Sequence, residues 1–94
     1  MTPLSWSPAS RRDIARIAAW LSTIDADVAR TTVRTIRESS WRLREYPLSG
    51  PAAGTTGYRK LIVNGTPYLL VYRLHAGGVE IIRVRHAHEN WSPR

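Results

Sequence analysis

Cysteine is absent from the 94 residues, so neither a disulfide nor a thiolate metal site is available. Long apolar runs are missing as well. Stretches such as Leu61–Val63 and Leu69–Tyr72 fall far short of the roughly 20 apolar residues that a membrane-crossing helix needs. The stretch Met1 to Trp6 carries neither a basic leader nor an apolar signal core, so the chain is expected in the cytoplasm and away from membranes. There is too little chain for two domains, and residues 1–94 read as one domain resting on its own core or on a partner. Hydrophobic residues at 43% and charged residues at 22% exclude a disordered or fibrous chain.

Acids are scarce. Seven face fourteen bases, for a net charge of +7 and a pI near 11.1. Thirteen of the fourteen bases are arginine, with Lys60 the single lysine. Guanidinium groups form planar, bidentate contacts with carboxylates and phosphates. A basic surface of this kind suits an acidic protein or a nucleic acid.

Periodicity divides the chain in two. Leu4 and Trp6 alternate in a short edge strand. Ser7 then caps a helix with Pro8 at its first position. Ile14, Ile17, Ala18 and Leu21 make its apolar stripe, with Arg11, Arg12, Arg16 and Asp13 mostly on the other side, and it ends near Ser22 or Thr23. Asp25 or Asp27 starts a second helix that runs to about Glu45. Its stripe is Ala29, Val33, Ile36, Ser40 and Leu43, and Tyr46-Pro47 stops it. The short connection makes an antiparallel helical hairpin. Trp20 and Trp41 read as packing residues of the core or of the helix contact.

Residues 47–57 are rich in proline and glycine and form a loop. Beyond it the period becomes two. Tyr58–Val63, Tyr68–His75 and Val79–Arg85 are strands, separated by turns at Asn64-Gly65 and Ala76-Gly77-Gly78. They form an antiparallel meander. The result is an α+β domain, with the strand at the amino terminus and the helical hairpin packed on one face of a mainly antiparallel sheet. Alternation assigns Tyr68, Leu70 and Ile82 to the helix-packed face. Leu69, Val71, Arg73, Arg83 and Arg85 then form an open face that is apolar and basic; a one-residue slip would exchange the two.

Catalytic motifs are sparse. No glycine-rich loop precedes a helix as a phosphate cradle requires, and Ser39, Ser40 and Ser49 have no motif linking them to a histidine and a carboxylate. His86 and His88 would point the same way on a strand. A zinc site needs three or four ligands, and the remaining candidates lack the spacing. No metal and no cofactor are expected.

The element order and several short words of sequence resemble the RelE/ParE superfamily of toxins from bacterial type II toxin–antitoxin systems. The words are Trp6 to Ile14 (Trp-Ser-Pro-Ala-Ser-Arg-Arg-Asp-Ile), Arg42 to Gly50 with its proline and glycine, Tyr58-Arg-Lys-Leu61, Leu69-Leu-Val-Tyr-Arg73, and Val79 to His86 followed by Trp91. The resemblance implies a toxin held off by a cognate antitoxin. RelE-like members cut messenger RNA on the ribosome, whereas ParE-like members act on DNA gyrase. RelE-like members carry an arginine three residues ahead of the middle-strand tyrosine. Leu69 stands at that position here, and a leucine cannot stabilise a phosphorane. The resemblance is therefore to the ParE-like branch. Arg59, Lys60, Leu69, Val71, Arg73, Arg83 and Arg85 are the expected antitoxin- or target-binding residues, with Leu69 and Val71 as an apolar floor. The alternative is a metal-independent messenger-RNA endonuclease with the ribosome and message as partners. Its catalytic candidates would be Arg73, Arg83, Arg85 and His86, because ribose activation and leaving-group protonation need cations, a base and an acid on one surface.

Overall fold

The computed structural model describes residues 2–87. Six elements follow in the order β1 (Leu4–Trp6), α1 (Pro8–Ser22), α2 (Ala26–Glu45), β2 (Arg59–Ile62), β3 (Tyr68–His75) and β4 (Gly78–His86). The strands form one sheet in the order β1-β4-β3-β2. β2, β3 and β4 are antiparallel neighbours, whereas β1 lies parallel to β4 with Leu4 opposite Val79 and Trp6 opposite Ile81. The two helices between β1 and the meander supply the long crossover that a parallel pairing requires.

Local chemistry sets the helix boundaries. The Ser7 hydroxyl oxygen accepts the Ser10 N–H at 3.0 Å, with Pro8 opening α1. Asp25 caps α2 by accepting the Asp27 and Val28 N–H groups at 2.8 and 3.2 Å. Asp27 in the first turn and Arg42 and Arg44 in the last complement the helix dipole. The turn between β3 and β4 is a two-residue loop in which Ala76 and Gly77 have φ of 52° and 76°. Positive φ at both central positions matches the strand twist but strains alanine.

The core lies between the helical hairpin and one face of the sheet. Ile14, Ile36 and Leu43 from the helices meet Leu61, Val63, Tyr68, Leu70, Tyr72, Val79, Ile81 and Val84 from the sheet side. Tyr68 and Leu70 face the helices as alternation suggests. Ile82 does not take its expected place there. The register slips between Val71 and Tyr72, whose partners are Arg83 and Ile81. Ile82 is therefore the extra residue of a bulge, which reverses the alternation along β4. Ile81 and Val84 enter the core while Ile82 is only half-buried.

Candidate partner-binding surfaces

The sheet face turned away from the helices is built from three rows. Ile62, Leu69 and Arg85 stand side by side across β2, β3 and β4, followed by Lys60, Val71 and Arg83. Arg73 and Glu80 form the third row, with Arg73 Nε and Nη2 at 3.0 and 2.9 Å from Glu80 Oε1. The expected residues Lys60, Leu69, Val71, Arg73, Arg83 and Arg85 thus share one face. The expected apolar floor is not an accessible one, because Leu69 and Val71 are only 8% and 2% exposed. Ile62 and Lys60 are exposed on this side, and Arg73, Arg83 and Arg85 are half-buried.

Arg59 is not brought to this face. It lies opposite Tyr72 in the β2–β3 register, on the core side, and its Nη1 donates to the Gly50 carbonyl at 2.8 Å. There it joins a second network. The Tyr72 hydroxyl donates to the Pro47 carbonyl at 2.9 Å and accepts the Gly50 N–H at 2.9 Å. Burial pushes the Tyr72 pKa above 10.0, against smaller opposing effects of the Gly50 hydrogen bond and the Arg59 charge. The hydroxyl therefore stays protonated and fixes the loop after α2. His86 is also on the core side, paired with Tyr68 in register and meeting its ring edge-on at 5.6 Å between centroids. The catalytic candidates Arg73, Arg83, Arg85 and His86 thus do not share a surface: the three arginines face one way and the histidine the other. His88 lies outside the described residues. Among the described residues, no three His, Asp or Glu side chains gather as a metal site would require.

Asp13 corrects the sequence reading. Rather than turning away from the core, it is 5% exposed. Its Oδ2 accepts Arg83 Nε at 2.7 Å and the Val84 N–H at 2.9 Å, and its Oδ1 accepts Arg83 Nη2 at 3.0 Å. Burial alone would raise its pKa. The Arg83 and Val84 hydrogen bonds, with the charges of Arg83 and Arg85, outweigh burial and hold the carboxyl below its ordinary 3.8.

A second surface lies on the helical hairpin. A groove of about 470 Å³ is floored by Ala18, Ala29 and Val33, walled by Trp41, and rimmed by Arg30, Arg34 and Arg37. Trp41 is 53% exposed and Trp20 is 59% exposed, so neither is the packing residue it was expected to be. For Trp41 the reason is phase. Residues 30, 34, 37 and 41 follow one helical stripe, rotated away from the buried Ala29, Ile36 and Leu43. Arg30 is ion-paired to Asp27. The signal was present in the sequence: Trp41 stands at arginine spacing, not at core spacing.

No helix among the described residues is long and apolar enough to cross a membrane. The family model described as the ParE toxin of a type II toxin-antitoxin system, parDE, matches residues 4–91. A curated protein of Sinorhizobium fredii (strain NBRC 101917 / NGR234), named as a candidate toxin, Y4kP, is 33% identical over 88 residues, covering 94% of this chain and 91% of that protein. The solved structure described as a chromosomal ParDE TA system from P. aeruginosa superposes with a TM-score of 0.81 at 21% identity, over 92% of this chain and 96% of the other. A conserved hypothetical protein from Helicobacter pylori, HP0894, superposes at 0.55 with 17% identity, over 97% and 100%. These two likenesses concern the fold.

Proposed function

The chain belongs to the ParE toxin family of type II toxin–antitoxin systems, and on that premise we propose that it harms cells by binding DNA gyrase and blocking replication, and that a cognate antitoxin neutralises it. The observation carrying the binding reading over a catalytic one is Leu69. A buried leucine occupies the point of β3 where the resemblance to RelE-like nucleases implies an arginine that would stabilise the cleaved phosphate. Two of the arginines on that face already serve carboxylates within the chain, Arg73 with Glu80 and Arg83 with Asp13.

The antitoxin would be acidic and partly apolar. The hairpin groove suits an amphipathic helix whose small apolar residues seat on Ala18, Ala29 and Val33, and whose acids meet Arg34 and Arg37. The basic sheet face suits an extended acidic segment. A disordered antitoxin tail meets its ordering cost by burying apolar area at about 25 cal/mol per Å² and by pairing charge.

Gyrase supercoiling of relaxed plasmid tests the reading. The purified toxin should inhibit it, and the antitoxin encoded beside the toxin gene should restore it. Normal supercoiling at saturating toxin would remove gyrase as the target.

A further inference from the structure

A smaller hollow, of about 250 Å³, lies where the end of β1, the first turns of α1 and the middle of α2 meet. It is lined by Trp6, Arg11, Ile14 and Arg37. Trp6 stands opposite Ile81 in the β1–β4 register, and it packs against the edge of the core while staying half-buried. Ile14 is 7% exposed and supplies an apolar wall. Arg11 sits one turn before Ile14 on α1, and Arg37 follows the buried Ile36 on α2. The antiparallel hairpin brings both arginines to the same hollow, and both are exposed. No acid is among the lining residues. Among the described residues, the arginines in ion pairs are Arg16, Arg30, Arg73 and Arg83 instead.

We propose that this hollow binds a nucleoside phosphate, with the base against Trp6 and Ile14 and the phosphate between Arg11 and Arg37. The site stands apart from the gyrase and antitoxin readings and does not depend on them. Its charge commits it to an anion. Two guanidiniums that share a concave surface without a carboxylate repel each other, and apolar walls focus their field into the space between them. Guanidinium forks match the oxygens of a phosphate. A bare phosphate or a side-chain carboxylate would meet those forks but leave the indole unused. An indole beside an aliphatic wall takes a flat ring, and every nucleobase has a face that stacks on an aromatic side chain. The size agrees. A volume of about 250 Å³ lies just under the roughly 300–1,000 Å³ of pockets for drug-sized ligands. That suits one base with its phosphate at the rim and excludes a helix. Arg37 also lines the hairpin groove, whereas Arg11 lines the hollow and not the groove. Arg11 therefore tells the two sites apart.

The test is calorimetric titration of the purified toxin with adenosine 5′-monophosphate (AMP), beside adenosine and inorganic phosphate. AMP should bind at one site, and at least about tenfold more tightly than either fragment, because only AMP combines stacking with charge. Arg11→Ala should weaken AMP binding about tenfold, the loss expected for a hydrogen bond to a charged group. Arg12→Ala removes the same charge from an exposed neighbour outside the hollow. It should leave the affinity within about twofold at physiological salt. Trp6→Leu should weaken binding about tenfold through lost stacking. If that variant does not fold, the Trp6 indole N–H signal in the nuclear magnetic resonance spectrum of the parent reports the same contact, and AMP should shift it. A 5′-phosphorylated oligonucleotide separates the two sources of this chemistry: tighter binding than AMP identifies the end of a strand, and equal or weaker binding a free nucleotide. The proposal would be overturned by no saturable binding at millimolar AMP, by inorganic phosphate binding as tightly as AMP, or by a loss in Arg12→Ala equal to that in Arg11→Ala.

Discussion

Replacing Tyr72 by phenylalanine removes one oxygen from a fully buried ring and leaves the ring in place. The apolar burial is therefore nearly unchanged, and the loss falls on hydrogen bonds. The Gly50 N–H, itself in a buried residue, would lose its acceptor. An orphaned buried donor costs about 1–3 kcal/mol. The Pro47 carbonyl would lose its donor, but Pro47 is only half-buried, so water can replace part of that bond and the loss is nearer 0.5–1 kcal/mol. Together the change should cost about 2–3 kcal/mol. A chain of this length holds roughly 5–14 kcal/mol of stability in total. The melting temperature should therefore fall by roughly 10–20 °C. Urea unfolding followed by far-ultraviolet circular dichroism measures the difference directly, with an unchanged denaturant slope expected. A loss below about 0.5 kcal/mol would refute the idea that this hydroxyl anchors the loop after α2.

Gly50→Ala should be at least as damaging, because a Cβ there would sit 2.5 Å from the Lys60 carbonyl oxygen and 2.9 Å from the Tyr72 hydroxyl; a melting temperature equal to the parent's would contradict that crowding. Ala76→Gly should raise stability by about 1 kcal/mol in the same urea assay, since it relieves a positive φ of 52°, and a loss would show that the turn is not strained. The Asp13 carboxyl is held below 3.8 in the folded state, so its stabilisation is full above the unfolded value and disappears as pH falls through the folded one. Acid unfolding below about pH 4 should accordingly be steeper in the parent than in Asp13→Asn, and parallel curves would count against the pair. Trp41→Ala should barely alter the melting temperature. It should weaken antitoxin binding by about 30- to 150-fold, as expected if half of a roughly 200 Å² indole becomes buried; calorimetry showing native affinity would exclude the hairpin groove as an antitoxin site.

Most of the architecture was legible because local chemistry and long-range packing agree. Ser7-Pro8, Asp25 and Tyr46-Pro47 delimit the helices at the positions the structure shows. The stripe through Ala29, Ile36, Ser40 and Leu43 is the buried face of α2. The sides of β4 were harder to read, since a bulge has no composition of its own here, and one extra residue at Ile82 moves Ile81 into the core. Asp13 was misjudged for a related reason. Helical phase alone cannot reveal that the uncovered edge of β4 needs an acceptor, which only the three-residue length of β1 makes necessary. Arg59 was a different matter. Simple alternation with Leu61 already places it on the core side of β2, away from Lys60.

The central claim is that this toxin acts by grasping another macromolecule and not by breaking RNA. Purified toxin incubated with translating 70S ribosomes, followed by primer extension along the message, tests it most directly. Full-length transcripts at every time point are the predicted result. Codon-positioned cuts that disappear in Arg73→Ala or Arg83→Ala would contradict it.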